Sequence, residues 1–190
     1  MSADSEPPSN NTTSAGLVVA ILAAGAAVTA ALALFGTLHA PNYSFGLLGS
    51  PADAFSTKST IATGVLGLAL IQVLLAVWMY GHLPGPTTTP TLVRPVHRVI
   101  GMVLFLTTLP VAIHCMFAYG VETTSARVTV HSLAGCFFYG AFVAKMIVVR
   151  SRSLPGWVLP TVGGLLVTLV AVIWYTSALW YLNGFQLPVG

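Results

Sequence analysis

Five histidines stand in a chain that has few other ionisable groups: His39, His82, His97, His114 and His131. Only 6% of the 190 residues are charged, while 56% are hydrophobic. A neutral imidazole offers one donor and one acceptor nitrogen, and it is a common metal ligand. Two of them facing each other from neighbouring helices supply what a b-type haem requires, one ligand on each face of the iron. No acid lies deep inside an apolar run. That argues against an ion pump or proton-coupled carrier built on carboxylates.

The elements that must position these histidines follow from composition. A soluble domain carries about 25% charged residues. With so few charges and a mean hydropathy of +0.88, this chain cannot cover a water-facing surface. An ordinary cytoplasmic enzyme, a nucleic-acid binder and a disordered protein are excluded, and an integral membrane protein remains. The net charge of +3 reflects scarcity of charge rather than a basic patch. Two cysteines make no disulfide framework, and Cys115 and Cys136 fall in apolar runs, where packing is their expected role.

A bilayer core of about 30 Å needs about 20 apolar residues in a helix. Five segments qualify, at 16–38, 59–80, 96–119, 128–149 and 159–182. The expected fold is all-α, an up-down bundle of five transmembrane helices. Residues 1–15 read as a polar flexible tail without the basic region of a secretory signal, and 183–190 as a short C-terminal tail. The connection at 81–95 holds four prolines and reads as an irregular crossing. Arg94, Arg98, Lys145, Arg150 and Arg152 flank the second and fourth connections, against only Lys58 and Arg127 on the other side. This asymmetry places the N-terminus inside and the C-terminus outside.

That topology sorts the histidines into layers. His114 lies near the outer end of span three and His131 near the outer end of span four, at similar depth on one hairpin. His97 opens span three on the inner side, where His82 follows span two. The 17 residues from His97 to His114 amount to about 25 Å of rise, nearly the membrane thickness. Gly101 and Gly135 each follow a histidine by one turn and leave room for a porphyrin edge, or serve close helix packing. Pro110, one turn before His114, should bend the helix. Arg98, Arg127 and Lys145 lie near the membrane faces, where they suit haem propionates or act as snorkelling anchors. His39 and His82 border loops and read equally as interfacial residues. Gln72, in mid-span two, reads as an interhelical hydrogen bond. The Gly- and Ala-rich first span reads as a packing helix.

The stretch HRVIGMVLFLTTLPVAIH, residues 97–114, resembles the HRxxG…H helix of ferric-reductase-like and cytochrome b-561-type membrane proteins. HSLAGCFFYG, residues 131–140, is similar to the start of a following helix in the same proteins. The resemblance covers spans two to four. It implies a helical bundle that holds one or two b-type haems between paired histidines and passes electrons across or along a membrane. His114 and His131 carry over as ligands, with His97 and His82 as a second layer. Those families often have six helices, with ligands drawn from helices two apart, a pattern that would couple His39 with His114. This chain has five spans and no GxGxxG motif for a nucleotide domain. Its electron donor would then be quinol, a small reductant or another subunit.

The function expected from the sequence is a b-type cytochrome of a bacterial plasma membrane, working as a subunit of a larger redox complex or as a homo-oligomer. Two other classes stay open: a haem-free accessory or assembly subunit, and a small metal transporter using the histidines in series. The transporter lacks any acid or Met ladder to continue its path.

Overall fold

The computed structural model describes residues 11–82, 90–151 and 153–187. These form helices α1 (Asn11–Leu38), α2 (Pro51–Met79), α3 (Val93–Ala118), α4 (Ala126–Arg150) and α5 (Val158–Trp174). A π-helical turn, Tyr175–Leu179, extends α5 into a last short turn, Trp180–Leu182. Five helices are long and apolar enough to cross a membrane, and no strand occurs among the described residues. Large apolar side chains such as Leu22, Leu70, Leu106 and Leu133 stand exposed on the bundle. Lipid, not water, suits such a surface.

Two helices begin earlier than apolar counting suggests. α1 starts at Asn11, inside the stretch read as a tail, because its polar first turn continues the same helix. α2 starts at Pro51 rather than at residue 59. Ser50 caps it by accepting from the Asp53 backbone N–H, and Pro51 sits in the first turn, where its missing N–H costs nothing. Residues 83–89 of the expected irregular crossing at 81–95 lie outside the described residues. Its last part, from Val93 through Pro95, already belongs to α3.

The helices pack in the order α1 on α4, α4 on α5, α5 on α2 and α2 on α3. The α1–α4 seam is built on glycine. A Cβ on Gly140 would collide with the Gly25 carbonyl and the Thr29 hydroxyl of α1. Gly36 lies eleven residues from Gly25, on nearly the same face, and its carbonyl accepts the Val121 N–H at 2.8 Å. Gly120, at φ +69, makes the turn that brings that amide round. The first span is thus a packing helix, as its composition suggests. Val65, Ala69, Phe138, Leu166, Leu169 and Val170 fill the middle of the bundle between α2, α4 and α5.

α3 and α4 meet through side chains rather than close backbones. Phe105 stacks on Phe142 with ring centroids 3.9 Å apart, and the Tyr139 hydroxyl donates to Thr108 Oγ1 at 3.0 Å. These two contacts share one antiparallel register, which decides the depth of the histidines.

Candidate functional site

The end of the bundle that holds the α1–α2 and α3–α4 connections carries an aromatic cluster around His39 and His114. Asn42 N–H donates to the Phe117 carbonyl at 3.0 Å and folds the α1–α2 loop over α3. Phe45 from that loop then lies against both Phe117 and His114. Tyr119 closes on His114 from the end of α3, with ring centroids 5.9 Å apart. Lys58 Nζ sits 4.3 Å from the Tyr119 ring centre and 4.7 Å from that of Phe55. Rings rather than a carboxylate hold this ammonium.

His114 is only 2% exposed, and neither ring nitrogen has a hydrogen-bond partner. Leaving one buried polar group unsatisfied costs about 1–3 kcal/mol, and buried polar atoms seldom lack partners. An apolar residue would fill the same space without that penalty. His114 is thus a buried imidazole with both nitrogens unsatisfied.

The α3–α4 register puts His114 level with Leu133, two residues from His131, or about 3 Å of rise. The two imidazoles thus share a depth, as the hairpin argument expects. His131 is half-buried, and its Nδ1 lies 3.2 Å from Thr176 Oγ1 on the π-helical turn. Gly135, one turn along α4, has open space where a Cβ would stand. Arg127, one turn before His131, donates from Nη1 to the Thr176 carbonyl at 2.7 Å and lies 3.7 Å over the Trp180 ring. These contacts give Arg127 a structural task at the α4–α5 seam.

The inner residues do not assemble in the same way. The His97 carbonyl accepts the Gln72 amide at 2.7 Å, which fixes the level of His97 on α2 and makes Gln72 the interhelical tie its position suggests. Gly101 packs against that same amide, so its space is already used. His82 is exposed beyond the end of α2. The seven residues from Gln72 to Met79 alone put about 10 Å between its level and that of His97. The two residues thus stand at different levels. His97 Nδ1 is buried and unpartnered, and Lys145 on α4 lies within electrostatic reach of it. Arg98 is exposed on α3. His39 follows α1 and stacks on Phe35 and against Phe117, with Phe117 and Phe45 standing between it and His114. Among the described residues no three His, Cys, Asp or Glu side chains gather in metal-binding geometry, and Cys115 and Cys136 are free thiols.

Two apolar grooves open between the helices. One, of about 730 Å³, runs between α2, α4 and α5 and is lined by Arg127, Trp174, Tyr175 and Thr176. The other, of about 350 Å³, runs between α1, α3 and α4 past Phe35, Phe105, Phe117 and Tyr139. Neither is lined by His114 or His131.

The family model of DUF6529, a family of unknown function, matches residues 17–189, nearly the whole chain. The chain belongs to that family. No curated protein and no solved structure matches it. The DUF6529 match spans all five helices, so the bundle and its outer histidine layer lie inside the family's unit.

Thr176, Lys58, Phe45 and Tyr119 are the site residues that sequence reasoning missed. Thr176 had a legible signal, as a hydroxyl deep in an apolar span. It was overlooked because span five holds no histidine.

Proposed function

We propose that this protein is a b-type cytochrome of a bacterial plasma membrane that relays single electrons. His114 and His131 would hold one haem at the end of the bundle where they share a level. One observation carries the reading: His114 is buried in a lipid-suited bundle with both ring nitrogens unpartnered, level with His131 on the facing helix. Ionisable groups in such positions are costly and mark function by default. The resemblance of residues 97–114 and 131–140 to cytochrome b-561-type helices supports the same assignment. When bound, haem iron supplies a one-electron couple, which two neutral imidazoles, burial and the hydrogen bonds around them would tune. Gly135, one turn from His131, has open space where a Cβ would stand and leaves room beside that ring. The wide separation of His82 and His97 favours one haem over two. The donor would be quinol or a redox partner protein, reached as part of a larger complex or a homo-oligomer.

The test is a pyridine haemochrome assay on the full chain, purified in detergent from a haem-replete host. About one b-type haem per chain, with a reducible Soret and α band, is the expected result. Folded but colourless protein overturns the reading and leaves a haem-free accessory subunit.

A further inference from the structure

The π-helical turn of α5 brings one hydroxyl against His131, and the protons there can be counted. Thr176 Oγ1 has a single hydrogen. It lies 2.7 Å from the Val172 carbonyl and 3.2 Å from the Ile173 carbonyl, both of which can only accept. The neighbouring Ser177 hydroxyl likewise donates to the Ile173 carbonyl at 2.6 Å. Toward His131, Thr176 Oγ1 therefore accepts, and the Ile173 carbonyl, which is also within hydrogen-bonding reach of that ring, can only accept as well. The donor across the 3.2 Å contact is then His131 Nδ1–H. A neutral imidazole with its proton on Nδ1 carries its lone pair on Nε2.

We infer that Thr176 is a positioning residue that fixes His131 as an Nε2 ligand. Arg127 shares the task. It stands on the same face of α4 as His131 and grips the carbonyl of the same Thr176, while Trp180 supports its guanidinium from below. The hydroxyl and the carbonyl of one residue are thus read by two side chains one turn apart. Thr176, at 5% exposure, and Ala178, at 1%, are the buried residues of the turn, and Tyr175, Ser177 and Leu179 are half-buried. Departures from regular α-helix of this kind often sit at functional sites, and a metal-binding histidine usually donates its other nitrogen to such a partner. The inference rests on the haem reading for its purpose, but the position of the proton can be measured without it.

The experiment uses the full chain labelled with 15N-histidine and purified in detergent. The His131 signals are assigned by their loss in His131→Gln. In reduced, coloured protein, wild type and Thr176→Ser are expected to show a hydrogen-bonded, slowly exchanging Nδ1–H. Thr176→Val, equal in shape but without the hydroxyl, should weaken that signal and speed its exchange several-fold. The midpoint potential should rise in the valine variant, because a less electron-rich imidazole stabilises ferric iron less, and the serine variant should restore it. If wild-type protein is colourless, the haem reading fails on its own. The proton should still lie on Nδ1 in wild type and Thr176→Ser, and shift toward Nε2 in Thr176→Val. A wild-type Nδ1 without a proton, or signals that the valine change does not move, would overturn the assignment of Thr176.

Discussion

At the scale of single residues, His114 poses an energetic question that stability can answer. A buried imidazole with two unsatisfied nitrogens costs about 1–3 kcal/mol for each orphaned group. If nothing binds there, His114→Leu removes the cost and raises the melting temperature. If a haem iron binds there, the same change removes a ligand and lowers it. We expect the second outcome, together with loss of the low-spin spectrum in both His114→Ala and His131→Ala at wild-type membrane levels. His39→Ala should leave the spectrum intact, since Phe117 and Phe45 separate that ring from His114. Wild-type spectra from both ligand variants would sink the haem assignment. The shared depth of His114 and His131 was legible in the sequence because helical rise is fixed and the connecting loop is short. Their surroundings were not. Phe45 reaches His114 only because Asn42 is tied to the end of α3, a contact between residues far apart in the chain. The Gln72 contact sets His97 deeper than its place at the start of an apolar run implies, about 10 Å in level from the end of α2 that His82 follows.

At the scale of elements, the α1–α4 seam and the end of α5 illustrate two ways of satisfying backbone in lipid. The α1–α4 seam depends on the absence of side chains. Gly140→Leu would drive its side chain into the Gly25 carbonyl and the Thr29 hydroxyl. Overpacking of this kind costs about 1–3 kcal/mol, so the variant should melt earlier in detergent. α1 contributes neither His114 nor His131, so the haem spectrum should persist in whatever fraction stays folded. Loss of haem at unchanged stability would contradict the placement of the ligands. The end of α5 depends instead on hydroxyls and Arg127, which take up carbonyls that the π-helical turn displaces. Arg127→Met keeps the length of the side chain but leaves the Thr176 carbonyl without its partner, at a cost of about 1–3 kcal/mol. Earlier melting of Arg127→Met, measured in detergent, is the expected outcome. Apolar runs of bilayer length made the five helices legible. The early start of α2 was not visible to that count, because it is a matter of capping: Ser50, Pro51 and Asp53 are polar or helix-averse residues everywhere except a helix N-terminus.

At the scale of the whole molecule, the question is which end faces the cytoplasm. The α2–α3 and α4–α5 connections share one end of the bundle, and the α1–α2 and α3–α4 connections share the other. Among the described residues, Arg94, Arg98, Lys145 and Arg150 belong to the first end, and Lys58 and Arg127 to the second. Lys58 is drawn over the Phe55 and Tyr119 rings, and Arg127 is turned onto Thr176 and Trp180, so both outer cations are folded into the protein. Positive charge thus gathers at one end, and by the positive-inside rule we expect that end to face the cytoplasm. A C-terminal reporter should therefore be active outside the cytoplasm, and one inserted within residues 84–92 active inside it. On the same expectation the His114–His131 layer lies near the outer surface. In right-side-out vesicles a membrane-impermeant reductant should bleach the oxidised spectrum directly, and in inverted vesicles only after the membrane is permeabilised. The reverse pattern in both measurements would turn the bundle over. It would also require a donor on the cytoplasmic side, because the aromatic cap of Phe45 and Tyr119 would then cover the haem from within the cell.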